Sequence, residues 1–128
     1  MQAQSKIYTT KNGIEYSLIN STNEIQGNWK VSKLERATET YRGGSLKFEN
    51  NQVNWQFCNI SGGKVESVSS GKIDIPQAMS TLMYCEEQIL NDLDGLVADI
   101  NSTYLVSKDG KLLLLENPKF NVVFEKEN

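Results

Sequence analysis

The chain has 128 residues, which is enough for one domain with a single modest core. With 38% hydrophobic and 23% charged residues, and no apolar stretch near bilayer length, it is neither a disordered chain nor a membrane-embedded one. The formal net charge is −3 and the thirteen Lys and Arg residues are scattered, which argues against a nucleic-acid-binding protein.

The first predicted element is a β-hairpin. Two β-type runs, residues 7–10 and 14–18, flank Asn12-Gly13, a pair that accepts the positive φ angles of a tight hairpin turn. Residues 19–27 are polar and predict a linker. No signal peptide is recognisable in residues 1–6, because they contain no hydrophobic segment.

The middle of the chain predicts further strands. Residues 29–34 alternate apolar and polar side chains, which is typical of a half-buried strand. A second hairpin is predicted around Asn50-Asn51, and residues 61–63 break the alternation with two glycines before two short strands, 64–68 and 72–75. The inward-facing set of the second hairpin is predicted to be Leu46, Phe48, Val53, Trp55 and Phe57.

An amphipathic helix is predicted from Tyr84 to Ile100, with Ser80 or Thr81 as its N-cap. One face carries the apolar residues Ile89, Leu90, Leu93, Leu96, Val97 and Ile100. The carboxylates of Glu86, Glu87, Asp92, Asp94 and Asp99 lie mostly outside that face and are interpreted as solvated, because no calcium-binding loop pattern accompanies them.

The C-terminal part predicts a third hairpin and a last strand. Asp109-Gly110 separates two β-type runs, 102–107 and 111–115, and residues 120–124 form the final strand. Because the strands follow one another through hairpins, we predict an α+β fold: a mainly antiparallel sheet of about eight strands with one main amphipathic helix.

Several short motifs together resemble the META domain family, whose bacterial type member is an HslJ-like heat-shock protein. Trp29 matches the tryptophan that opens the family domain, and the chain departs from the family at Phe57, where a glycine is usual. The other matching positions are Phe48, Val53, Cys58, Asn59, Gly63, Thr81, Met83, Cys85, Tyr104, Leu112 and Leu114. On this match, residues 27–128 form the family domain and residues 1–26 an N-terminal extension.

The resemblance implies a strongly curved antiparallel sheet and export to the bacterial envelope, in the periplasm or attached to the outer membrane, often as a lipoprotein. It also implies an association with heat shock, stress, antibiotic tolerance and virulence. No enzymatic activity is established for the family, and no catalytic residues carry over. We therefore predict a monomeric, non-enzymatic binding or stress-protection module without a cofactor, whose partner is an envelope protein or a small ligand. The alternative is a periplasmic small-molecule or metal carrier.

In an exported protein of this kind, Cys58 and Cys85 are predicted to form a disulfide. Two alternatives remain open: buried free thiols in a cytosolic protein, or a redox or metal role. Met79 and Met83 could join Cys85 in holding Cu(I), although core filler is the favoured interpretation of Met83.

No histidine occurs, which excludes Ser-His-Asp and Cys-His catalytic sites within the chain. Tyr41 lies in a polar loop beside Gly43-Gly44 and is a candidate recognition residue if it is exposed.

Overall fold

The computed structural model of the chain describes residues 6–36 and 40–128. It is an α+β structure, in which ten strands form one open sheet and two more form a separate hairpin. Every strand pairing among the described residues is antiparallel. The predicted class, a mainly antiparallel sheet with one α-helix, is therefore confirmed.

Twelve strands are present in the described part of the chain, so the predicted number of about eight is wrong. They are β1 (Thr9–Lys11), β2 (Ile14–Leu18), β3 (Gly27–Glu35), β4 (Gly43–Glu49), β5 (Gln52–Gln56), β6 (Ile60–Lys64), β7 (Ser67–Ser69), β8 (Lys72–Asp74), β9 (Met79–Ser80), β10 (Thr103–Ser107), β11 (Leu112–Glu116) and β12 (Asn121–Lys126). The order in the large sheet is β1-β2-β10-β11-β12-β3-β4-β5-β6-β9, and β7 pairs with β8.

The strands that the sequence pattern missed are short or rich in glycine. Strand β6 contains Gly62 and Gly63, which looked like a break in the alternation. A Cβ at Gly63 would lie 2.6 Å from Ile75 Cγ2 and 3.2 Å from Ala78 Cα. The glycine therefore continues the sheet at a place where the following chain packs too closely for a side chain.

The three predicted hairpins are confirmed. Asn12 and Gly13 both have positive φ angles, 52° and 79°, as the turn between β1 and β2 requires. The five residues predicted to face inward from β4 and β5 and the residue after them are all buried, and so is Trp29. The Trp29 indole Nε1 donates a hydrogen bond to the Ile25 carbonyl at 3.0 Å.

The chain before residue 27 contributes to the same core. Strand β2 pairs with β10, and a 3₁₀ helix, Thr22–Ile25, lies in the segment that the sequence predicts to be a linker. Ile19 and Ile25 are completely buried in the main hydrophobic cluster. The division of the chain at residue 26 stays a prediction, and residues 1–5 of the predicted extension lie outside the described residues.

The helix α1 (Gln88–Leu96) is shorter than predicted. Glu87, in an extended conformation, is its N-cap residue, so the predicted caps Ser80 and Thr81 are wrong. The buried positions Ile89, Leu93 and Leu96 confirm the apolar face. Beyond the helix, however, Ile100 is exposed rather than part of that face.

Two side chains from the sheet side close the C-terminal end of α1. The Ser102 hydroxyl donates to the Leu96 carbonyl at 2.7 Å, and the Tyr104 hydroxyl donates to the Val97 carbonyl at 2.6 Å. Both bonds satisfy carbonyls that have no partner inside the helix. Burial raises the pKa of Tyr104, which is therefore a neutral donor. These bonds fix α1 against the sheet, beside the loop that follows β5.

Candidate functional site

The two cysteines and three other motif residues, Asn59, Thr81 and Met83, meet at one end of the sheet. Cys58 follows β5 and Cys85 precedes α1, and the structure joins them as a disulfide with a Cα–Cα distance of 6.1 Å. The bridge closes a loop with a sequence separation of 27 residues, which contains β6 to β9. It therefore ties the start of the helix to the end of the second hairpin.

Asp94 is the polar centre of this region. Its carboxylate accepts hydrogen bonds from the backbone amides of Phe57 (3.2 Å), Cys58 (3.2 Å) and Asn59 (2.7 Å), and from the Asn59 Nδ2 amide (3.3 Å). Its backbone carbonyl accepts the Trp55 indole N–H at 2.9 Å. One helix residue thus holds the whole turn around Cys58, and Asp94 is a structural group rather than a solvated carboxylate.

Asn59 extends the network to the segment before Cys85. Its Oδ1 accepts bonds from the Thr81 hydroxyl (3.1 Å) and from the Met83 backbone amide (2.6 Å). The Thr81 hydroxyl also accepts the Ile60 amide at 3.1 Å, and the Thr81 amide donates to the Ile60 carbonyl at 3.1 Å. We call Asn59, Thr81, Asp94 and the Cys58–Cys85 bridge the clasp.

The Phe57 ring, at the position where the resemblance leads one to expect glycine, fits against Gly44. A Cβ at Gly44 would lie 2.4 Å from Phe57 Cδ1, so the ring occupies space that glycine leaves open. The ring also lies 6.2 Å, centroid to centroid, from that of Phe124. The larger side chain at position 57 is thus accommodated by a glycine on the neighbouring strand β4.

The clasp holds a segment whose apolar side chains face solvent. We call Met79, Leu82, Met83 and Tyr84 the ridge. Leu82 is 99% exposed, Tyr84 88% and Met79 77%. Met83 is also exposed, so its interpretation as core filler is wrong. Large apolar side chains on a backbone fixed at both ends are typical of an interaction surface.

Tyr41 lies beside the clasp but is only partly exposed, because it packs against the main core. Burial raises the pKa of its phenol, and the negative charges of Asp94 and Glu87 raise it further. The phenol is therefore a neutral group at the acidic side of the clasp. Its role in recognition stays a prediction.

A metal-binding set of residues also occurs at the clasp. Ligand atoms of Cys58, Cys85 and Asp94 all lie within 4.8 Å of one another. Thiolates and a carboxylate suit Zn²⁺, but here the two sulfur atoms are joined to each other. The structure also does not bring together the three sulfur ligands considered for Cu(I). Met79 and Met83 are exposed at the surface, and the Cys85 sulfur is bonded to Cys58.

An ion pair between Asp92 of α1 and Arg36, the residue after β3, is a second contact between the helix and the sheet. Arg36 Nη1 contacts Asp92 Oδ2, and the Asp92 carboxylate also accepts a bond from Gln88 at 3.0 Å. Burial alone would raise the pKa of Asp92, but the bonds from Arg36 and Gln88 outweigh it and hold the pKa below its ordinary value. Asp92 is therefore ionised and paired at neutral pH.

Asp92→Asn is expected to lower the free energy of unfolding by about 1 kcal/mol at pH 7. A depressed folded-state pKa stabilises the protein above the unfolded-state pKa, and this contribution is lost as the pH falls through the folded-state value. Urea unfolding of both proteins at pH 7 and at pH values well below 3.8, the ordinary pKa of Asp, measures the difference. The two proteins should converge in acid, and a constant gap across that range would contradict the assignment.

No protein-family model and no curated protein matches the chain. Two solved structures are similar to it in fold. An NMR structure of a protein has a TM-score of 0.64 and 17% identity, and the match covers 84% of this chain and 96% of that one. An NMR structure of a protein from Burkholderia xenovorans has a TM-score of 0.60 and 14% identity, and covers 84% and 86%. At these identities the likeness concerns the fold alone. In the described part of the chain, no helix is long and apolar enough to cross a bilayer.

Proposed function

We propose that the chain is a META/HslJ-like domain that acts as a non-enzymatic binding module in the bacterial envelope. The ridge is the observation that carries this proposal. The motif residues Asn59, Thr81 and Cys85 use their polar and sulfur atoms to fix a segment of chain, while the side chains between them stay in solvent. A motif of this kind preserves the shape of a surface.

The backbone that carries Leu82 and Tyr84 is ordered before a partner binds. A flexible loop loses conformational entropy when it binds, at about 0.5–1.5 kcal/mol for each immobilised side chain. Here the backbone of residues 81–85 is already fixed by the Asn59 bonds and the disulfide. Exposed Leu82 and Tyr84 can then bury their surface against a partner with little further ordering. Oxidising conditions, as in the envelope, maintain the bridge that this arrangement depends on.

The double variant Leu82→Asp/Tyr84→Asp tests the ridge. It should reduce the affinity for an envelope partner by more than about tenfold, because buried aromatic and apolar anchors dominate most interfaces. A photo-crosslinking residue, placed at the exposed Gln77 outside the ridge in both the wild-type and the double-variant protein, captures the partner in native cells. Competition with the unlabelled proteins then compares their affinities. The variant should keep its unfolding midpoint, because both side chains are almost fully exposed.

Ile100→Asp is the matched control. Ile100 is 82% exposed and apolar, but it lies outside the ridge, so this variant should compete as well as the wild-type protein. Equal loss in the control would mean that any exposed apolar residue matters, and the ridge would have no special role. Failure to capture a partner, together with turnover in a substrate screen, would exclude the binding-module proposal.

A metal carrier is the second candidate, and the grouping of Cys58, Cys85 and Asp94 favours it. It requires the reduced protein, in which both thiolates are free to bind. Protein purified under reducing conditions, and analysed for bound metal before and after oxidation, separates the two candidates. Stoichiometric Zn²⁺ that is released on oxidation would support the carrier.

A further inference from the structure

The outer edge of the sheet at β9 is unprotected. β9 is the last strand in the sheet order, and β6 is its partner on one side, so its other side faces no strand of the described chain. Residues 76–84 are all exposed, and the sequence has no charged residue from Ile75 to Cys85. The opposite edge differs, because β1 carries Lys11, which forms an ion pair with Glu116. Soluble proteins usually block open edges with charge, and an uncharged edge is a place where another strand can pair.

A groove of about 390 Å³ runs between this edge and the C-terminal half of α1. Its apolar walls come from Trp55, Ala78, Met79 and Ala98. Polar groups also line it, and the charged ones are the carboxylates of Asp94 and Asp99. The groove therefore combines apolar walls with negative charge, directly beside backbone groups that have no strand partner.

The charge of the groove is not compensated from within. No Lys or Arg lines it among the described residues. Bonds from the Asn101 amide and the Asn117 side chain hold the pKa of Asp99 below its ordinary value, so this carboxylate is ionised at neutral pH. The positive charge of Lys119 also lowers the pKa of Asp99, but Lys119 lines the adjoining pocket and not the groove. The groove thus presents net negative charge to an occupant.

We infer that the β9 edge and this groove bind an extended segment of a partner protein that carries Lys or Arg at alternate positions. This inference rests on the proposed binding function and names the chemistry of the partner. The segment adds a strand to β9 through backbone hydrogen bonds, and every second side chain enters the groove. The aliphatic stem of Lys or Arg packs on Ala98 and Met79, while its charged head reaches the Asp99 carboxylate. A second copy of this chain is a poorer occupant, since its net charge is −3 and its own β9 segment has no cation.

The test uses a short blocked peptide of alternating threonine and lysine, and a matched peptide with glutamate in place of lysine. Titration of the ¹⁵N-labelled full chain, followed by NMR, gives both the affinity and the binding site. The lysine peptide should shift the amides of Met79, Ser80 and residues 95–98. The glutamate peptide should bind at least about tenfold more weakly, because its charges repel the groove.

Two variants locate the site. Gly95 lines the groove and a Cβ there meets no atom within 4 Å, so Gly95→Leu adds an apolar side chain at the groove and also favours the helix. It should abolish peptide binding in a folded protein. Asp99→Asn should weaken binding about fivefold, as expected for the loss of one partly exposed ion pair. Asp74→Asn, on the exposed surface of β8, is the control and should bind as the wild-type protein does.

Three results would overturn the inference: equal affinity for the two peptides, shifts confined to other surfaces, or binding that survives Gly95→Leu. A fourth such result would come from sedimentation of the protein without peptide. A dimer that Gly95→Leu disrupts would mean that a second copy of the chain occupies the groove. The proposed binding function fails separately. If the ridge variant loses its captured partner while Gly95→Leu keeps it, the module binds through the ridge and the groove is not its site.

Discussion

Replacing Cys58 and Cys85 together by alanine is expected to lower the free energy of unfolding by about 3.5 kcal/mol. The bridge closes a loop with a sequence separation of 27, and in the chain-entropy model a loop of this size gives that value. Small domains are stable by only about 5–15 kcal/mol, so the loss is a large part of the total. Urea unfolding at equilibrium measures it.

Reduction of the wild-type protein provides the matched comparison. Added dithiol should shift the unfolding midpoint close to that of the double variant, and should have no effect on the variant itself. Alkylation followed by intact mass measurement counts the thiols in each sample. A double variant as stable as the wild type, with two thiols free before reduction, would contradict the bridge and favour the thiol or metal candidates.

The second large effect is expected from Asp94→Ala, which should cost about 3 kcal/mol. The substitution removes the acceptor of three backbone amides and of the Asn59 side chain. Hydrogen bonds to a charged group contribute about 1.5–3 kcal/mol each, and donors left without a partner add a desolvation cost. Water can reach part of the turn, which keeps the total below the sum of the separate bonds.

Asp94→Asn sharpens this prediction. The amide keeps one acceptor oxygen, but its NH₂ group would face a backbone donor, so Asp94→Asn should be nearly as costly as alanine. Glu86→Ala, an exposed carboxylate just before the helix, is the control and should change stability little. Hydrogen exchange at residues 57–59 should accelerate in both Asp94 variants. Unchanged exchange there would mean that the carboxylate does not hold the turn.

The sequence predicts the main strands because their signals are local. The alternation in β4 and β5 identifies Phe48, Val53 and Trp55 as core, and Asn12-Gly13 and Asp109-Gly110 mark two hairpins. Each of these signals depends on residues within a few positions of one another, and packing in the folded protein agrees with them.

The clasp could not be predicted in the same way. Asp94 lies on an amphipathic helix among other acidic residues, and its donors are 35–37 residues away in the sequence. No local pattern distinguishes it from Asp92, which pairs with an arginine. The predicted cap Thr81 is wrong for the same reason, because its hydroxyl bonds to Asn59 and Ile60, which are distant in the sequence, instead of to the start of the helix.

The position of β12 in the sheet has a consequence for how the protein is made. This last strand, Asn121–Lys126, lies between β11 and β3, near the middle of the ten-stranded order. Until residues 121–126 have left the ribosome, β3 lacks a neighbour on that side, and the two halves of the sheet cannot join. The complete sheet therefore forms only after residues 121–126 have been made, and this pairing between distant parts of the chain is expected to slow folding.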